Sequence, residues 1–299
     1  WACQTSRRTG SKAAGRTPLF DVVATGDLVS VAFMLSSGAD ATLADNEGTT
    51  PLHAAVAAQS PGKVNLLLQH PVDVAARDGN GDTPLHLALR RGQNRIASAL
   101  LDAGADLFAR NGREEMPIDI VMAGGPATIR RFVTASRRDE TSDSGESTLH
   151  RAVAGGQSAA VIQSLLDQGV PANARANRGI TPLHLAVRME RPEIVRLLLA
   201  RGADPHARDV NGTTPLVLAL RSGVATVNWF GAGNALQSRD TQGNGALHLA
   251  VIHGDAATVS RLVDLGVSAD ENLDGQTPLD LARQREFLEA VRILEASAE

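Results

Sequence analysis

Tyrosine is absent from this chain of 299 residues, aromatic side chains make up 3% of it, and there is one cysteine. A lone Cys3 excludes an intrachain disulfide and any zinc site built on paired cysteines. Lysine is nearly missing too, since of 29 cationic residues only Lys12 and Lys63 are not arginine. The net charge is −4, shared evenly between the two halves. A nucleic-acid binder normally carries a marked basic excess, so a polyanionic nucleic acid is not the expected partner. No apolar run approaches the roughly 20 residues needed to span a bilayer. Gly-x-Ser-x-Gly, the phosphate loop ending in Gly-Lys and His-Glu-x-x-His are all missing. No nucleophile, base and orienting group stand at a workable spacing. The chain is therefore not expected to be an enzyme, and nothing in it implies a cofactor.

What the chain does have is repetition. Thr-Pro-Leu-His stands at 50–53 and returns at 83–86 and 181–184, with near-copies between. The first residue of the tetrad falls at 17, 50, 83, 116, 147, 181, 214, 245 and 277. A period near 33 along almost the whole chain means a stack of small similar units rather than one closed core. Hydrophobic content is 43%, mostly Ala, Leu and Val. That composition suits thin units that each bury one layer of small aliphatic side chains, and it places function on a surface rather than in a pocket.

Residues 176–208 show how one unit is written. Thr181 is suited to cap a helix, and Pro182 follows at the first helical position, where no amide hydrogen is missed. Leu183, Leu185, Ala186 and Val187 form a short first helix. Pro192 opens a second, with Ile194, Val195, Leu197, Leu198 and Leu199 as a wide apolar stripe. Gly202 ends it by tolerating the left-handed conformation, and Asn211-Gly212 marks a turn in the loop that follows. The same grammar recurs as Gly-Ala-Asp at 38–40, 104–106 and 202–204, and as turn signals at 46–48, 79–81, 177–179, 211–212, 242–243 and 274–275.

From about residue 16 onward these motifs resemble the ankyrin repeat family. The matching features are the Thr-Pro-Leu-His tetrads, the Leu/Val-rich second helix, the Gly-Ala-Asp and the Asp-x-x-Gly turns at 45–48 and 209–212. The resemblance implies an all-α solenoid of stacked helix-turn-helix units with hairpin-like finger loops. It also implies binding of other proteins through the finger tips and the groove-facing end of the first helix.

On that frame residues 1–15 read as a polar tether, 16–138 as repeats one to four, 139–146 as a divergent polar loop and 147–299 as repeats five to nine. The 137–146 stretch (RRDETSDSGE) is expected to be a malformed finger and a flexible seam. In repeat seven Asn228-Trp229-Phe230-Gly231 replaces a run of leucines, so its second helix should be truncated. The last repeat carries Arg283, Arg285, Glu286, Glu289, Arg292 and Glu295, the wetted face a terminal cap needs. The first, with Val31, Phe33 and Met34, looks less polar outside.

Eight histidines raise the question of a metal, but five of them, His53, His86, His150, His184 and His248, close the tetrads. The resemblance assigns these rings to backbone hydrogen bonds between neighbouring fingers. His70, His206 and His253 have no partners at ligand spacing. The groove positions carried over from the family hold Arg90 and Arg91, Arg188 and Met189, Arg221, Ile252 and His253, and Arg285, with no acid among them. Arginine there suits a carboxylate or phosphate, which it engages with two-pronged hydrogen bonds. The plainer reading is that arginine is a good helix former on an exposed face.

Trp229 and Phe230 are the candidate aromatic anchor for a partner, or else bulk that fills the gap left by a shortened repeat. Cys3, after Ala2 and before a polar tether, stands as the acylated cysteine does at the start of a mature bacterial lipoprotein. On that reading Cys3 is lipidated, the only membrane contact is through that anchor, and the protein sits in the bacterial cell envelope. Otherwise Cys3 is incidental and the location cytoplasmic. The expected function is a monomeric, non-catalytic scaffold that binds another protein, acidic or phosphorylated. The alternative is an envelope-located inhibitor or immunity-type protein that occludes a partner enzyme's active site.

Overall fold

Thr50, Thr181 and Thr214 stand in extended backbone just before a proline-led helix, and each hydroxyl accepts from an amide one turn in. The distances are 3.5 Å from His53, 3.4 Å from His184 and 3.1 Å from Val217. Thr17 does the same for Phe20 at 3.2 Å. Such caps satisfy amides that a helix start otherwise leaves unpaired. This computed structural model describes residues 15–134, 137, 139–230, 234–237, 239–240 and 242–297. Among them are nineteen α-helices, mostly of 7–9 residues and arranged in pairs, and no strand. Among the described residues the only pairing of extended backbone is an isolated bridge between Thr141 and Ser147. No helix among the described residues is long and apolar enough to cross a membrane.

Second helices end as the sequence predicts. Gly38, Gly104 and Gly202 take φ of 85°, 91° and 78°, a region that L side chains avoid and glycine enters freely. The following amide then turns back onto the helix, as in Ala203 N–H to the Leu198 carbonyl at 3.0 Å. In the fingers, Asp45 Oδ1 accepts from Glu47 N at 3.0 Å and Thr49 N at 2.9 Å, closing the loop on itself. Gly48 has a second reason to be glycine. A Cβ there would lie 2.6 Å from the Arg77 carbonyl oxygen of the next finger.

The chain forms two compact units, one up to Gly124 and one from Gly125. The division falls between the two helices of repeat four. In the first unit the first helices Pro18–Thr25, Pro51–Ala57, Pro84–Arg90 and Pro117–Ala123 pack in succession. In the second, Thr148–Ala154, Pro182–Arg188, Pro215–Arg221, Ala246–His253 and Pro278–Gln284 do so. Each repeat buries one thin aliphatic layer, such as Leu52, Ala55, Val56, Val64 and Leu67, or Leu183, Ala186, Ile194, Val195 and Leu198.

The divergent repeats resolve in different ways. The finger expected to be malformed, at 137–146, is closed over 142–146 like the others. Ser142 N donates to Glu146 O at 3.0 Å and Gly145 N to Ser142 O at 2.8 Å. Ser142 Oγ accepts from Glu146 N at 3.2 Å, supplying the oxygen that aspartate supplies elsewhere. Repeat seven is shortened as expected, to Val224–Val227 followed by a 3-10 turn at Asn228–Phe230. The terminal helix Leu288–Ala296 keeps its charged face wet, with Arg283 bonded to Glu295 at 2.7 Å. On Leu28–Ser36 of repeat one, Val31 is buried while Val29 and Phe33 are 77% and 71% exposed. The leader, including Cys3, lies outside the described residues.

The tetrad histidines connect neighbouring repeats within each unit. In repeat two, Thr50 N–H donates to His53 Nδ1 at 3.3 Å, and His53 Nε2 lies 3.0 Å from the Asp82 carbonyl of repeat three. An amide nitrogen can only donate and a carbonyl only accept, so the ring must be neutral with its proton on Nε2. The pattern repeats from His86 to Glu115, His150 to Ile180, His184 to Thr213 and His248 to Gln276, at 2.9–3.1 Å. Burial lowers the pKa of all five, against hydrogen bonds to the carbonyls that favour the charged form. Among the described residues no group of three or more His, Cys, Asp or Glu could hold a metal ion.

An acid-stability prediction follows from the sign of these shifts. Each ring is neutral in the fold but takes a proton in the unfolded chain below about pH 6.5. The stabilisation is thus present above that pH and is lost as pH falls towards the folded-state values, by up to about 1.4 kcal/mol per pH unit for each histidine. Urea midpoints should drop steeply between pH 7 and 5.5. His184→Ala should cost about 1–2 kcal/mol at pH 7.5 and flatten the dependence. Midpoints that do not vary with pH would show that the rings tolerate protonation in place.

Candidate protein-interaction surface

The groove positions lie at the last residue of each first helix or just beyond it. A cation there also meets the negative end of the helix dipole, worth about 0.3–1 kcal/mol when exposed. Proximity to a helix end therefore does not distinguish a binding arginine from a structural one, whereas its partners do.

Arg90, in the first unit, is already occupied. Its Nη1 donates to Asp82 Oδ2 at 2.7 Å and its Nη2 to Asp82 Oδ1 at 3.1 Å and Glu115 Oε2 at 2.6 Å. Asn111 Nδ2 donates to the same Asp82 oxygen at 2.7 Å. Burial alone would raise the Asp82 pKa, but the bonds from Arg90 and Asn111 hold the carboxylate below its ordinary range. Hydrogen bonding to Asp82 raises the Arg90 guanidinium further still. Arg90 is a strut between two fingers. Of the groove candidates it is the one whose fork is bonded to acids of its own chain. Arg91, beside it, is exposed.

The second unit differs. Arg188 and Arg221 occupy the same place in their repeats as Arg90 does in its own. The residues that would hold the acids are Ile180, Thr213 and Asn244. Arg188, Arg221 and Arg285 are exposed, and no hydrogen bond or ion pair ties any of them to the described residues. His253 lies between Arg221 and Arg285. Burial lowers its pKa first, and the two neighbouring guanidiniums lower it further. Met189 is 42% exposed, and Ile252 is half-buried. These guanidiniums are exposed beside Met189 and Ile252, and Glu146 shares a small cavity with Arg188 without bonding to it. Glu190 and Glu286 follow the row with φ of 53° and 56° and pair with none of its arginines.

The aromatic pair separates. Phe230 is 5% exposed, and the Asn228–Phe230 turn packs on the second helix of repeat six, Pro192–Ala200. Phe230 thus sits in the space a full second helix would occupy. Trp229 is half-buried. Asn228 Oδ1 accepts from Arg261 Nε at 2.7 Å, which fixes the shortened segment to the next repeat.

A second arginine series escaped the sequence reading. Six residues before the tetrad stand Arg77, Arg175 and Arg239, and each donates to the carbonyl at the same place in the next repeat, Arg110, Arg208 and Glu271. Their recurrence at the repeat period was the available signal. Much of the arginine in this chain is therefore bracing between fingers.

With the geometry in view, comparison with known proteins is informative. A family model that spans three ankyrin repeats matches four overlapping stretches, residues 19–111, 119–209, 149–230 and 216–299, and the chain belongs to the ankyrin repeat family. Among solved structures it resembles the ankyrin repeat domain of Bcl-3, described as a unique member of the IkappaB protein family. Identity is 30% and the TM-score 0.56, over 72% of this chain and 98% of that one. No curated protein sequence matches it. Ankyrin repeats are protein–protein interaction modules, typically without catalytic function.

The two classes of groove arginine should behave oppositely. Arg90→Ala leaves the 5% exposed Asp82 carboxylate without its main partner, and should lower the stability of the first unit by about 1–2 kcal/mol. Arg188→Ala removes no hydrogen bond or ion pair and should stay within about 0.5 kcal/mol of the parent. Equal losses in urea melts would mean that both are structural.

Proposed function

We propose that this protein is a non-catalytic scaffold whose second unit seats an acidic segment of another protein along Arg188, Arg221, His253 and Arg285. The observation that carries this reading is the contrast between Arg90, neutralised by Asp82 and Glu115, and three guanidiniums in equivalent or adjacent places that have no acid. An exposed row of like charge without compensation disfavours the free protein slightly and rewards a partner that supplies carboxylates. Met189 and Ile252 give that partner apolar surface beside the charges. The finger tips of the same unit add Val210 and Leu273, 64% and 77% exposed. No step here requires a metal or cofactor.

The test is affinity capture with the intact array, followed by titration of the captured partner against an Arg188→Ala/Arg221→Ala/Arg285→Ala variant of unchanged helicity. Exposed ion pairs contribute about 0.2–1 kcal/mol each, so affinity should fall roughly 3- to 100-fold. The dependence on salt should also become shallower, because such charges are screened over about 8–10 Å at physiological strength. Unchanged affinity and salt dependence would move the interface to the finger tips.

A further inference from the structure

Arg90 and Arg188 stand in one register, each seven residues after the threonine of a Thr-Pro-Leu-His tetrad. Eight residues before Arg90 is Asp82, which takes both prongs of its guanidinium. Eight residues before Arg188 is Ile180, whose side chain cannot accept a hydrogen bond. At Arg188 there is instead a cavity of about 170 Å³ between two neighbouring fingers of the second unit, and Glu146, His150, Ile180, Leu185 and Arg188 are among its walls. One water needs about 10–15 Å³ by the same measure, so an acidic side chain fits with room for solvent.

The chemistry of the walls decides what enters. Ile180 and Leu185 are apolar. His150 is committed, since its Nδ1 accepts from the Ser147 amide and its Nε2 donates to the Ile180 carbonyl. Two charged groups are left, the Arg188 guanidinium and the Glu146 carboxylate, which share the cavity without bonding to each other. A carboxylate alone would gain from the first and be repelled by the second. An occupant that also presents a donor satisfies both. An aspartate or glutamate within a polypeptide carries the two together, a side-chain carboxylate and a backbone N–H.

Resting on the acidic-partner reading, we propose that this cavity is the subsite for one acidic residue of the partner. Its carboxylate takes the place beside Arg188 that Asp82 holds beside Arg90, engaged by the guanidinium fork, and its backbone N–H donates to Glu146. The same arginine position is thus closed by the chain's own acid in repeat three and left for a partner's acid in repeat six. Glu146 also sets a limit, because a second acid next to the first would bring like charge against it.

The experiment follows the Nε–Hε resonances of Arg188, Arg221 and Arg285 by NMR in the full-length chain at low salt, each assigned by its loss in an Arg→Lys variant. The probes are N-acetyl-aspartate N-methylamide, which has carboxylate and N–H, and propionate, which has the carboxylate alone. The Arg188 resonance should shift saturably with the first, at a dissociation constant at least about threefold lower than with propionate. Ile180→Asp should abolish that response, because the new carboxylate occupies the fork, and should leave those of Arg221 and Arg285. Ile180→Thr, which copies Thr213 of the next repeat, should keep it. Glu146→Gln should erase the preference over propionate, and this arm decides the matter if Ile180→Asp does not fold. An Arg188 response that survives Ile180→Asp, or that is as strong with propionate, would overturn the subsite while leaving the acidic-partner reading standing. So would silence at Arg188 alone. No response at any of the three arginines would overturn both.

Discussion

The structure depends on one recurring contact, a neutral imidazole held between two backbone groups of different repeats. In repeat two, His53 accepts from the Thr50 amide that opens its own helix and donates to the Asp82 carbonyl of the next finger. One small ring thus fixes the start of a helix, the turn before it and the register to the neighbouring repeat. The contact needs a buried site, which keeps the ring neutral. Without it, a finger would keep its own turn and its arginine braces but lose its tie to the first helix of the preceding repeat.

Because every repeat buries only a thin layer of Ala, Leu and Val, stability comes from neighbours rather than from any one core. Deviations are then tolerated when the contact to the next repeat is replaced in kind. Ser142 stands in for aspartate and closes the 139–146 finger. Asn228 and Phe230 stand in for a helical turn, one through Arg261 and the other by burial.

The same economy explains why arginine has to be sorted by its partners. Arg77, Arg175 and Arg239 brace carbonyls of the following repeat, and Arg90 braces two carboxylates. Once those are set aside, Arg188, Arg221 and Arg285 remain exposed, with no hydrogen bond or ion pair among the described residues. That remainder matters more to function than the total count.

Much of the fold was legible in the chain before any coordinates. Thr-Pro starts, Gly ends and a period near 33 are local chemistry, set by capping, φ preference and the length of one helix pair, and they determined the repeats and their helices. Which arginines are free was decided only by tertiary structure. Arg90 and Arg188 occupy the same place in nearly identical helices, and what separates them is Asp82 and Glu115, eight residues before Arg90 and 25 after it. Those acids lie on adjacent fingers that only the folding of successive repeats brings to one guanidinium. Which of its two possible roles Phe230 takes was likewise left open by the sequence, since the gap beside it is a property of the neighbouring helix. Capping and turn preferences act within a few residues and are written in them, whereas the neutralisation of a charge depends on what the stack places across from it.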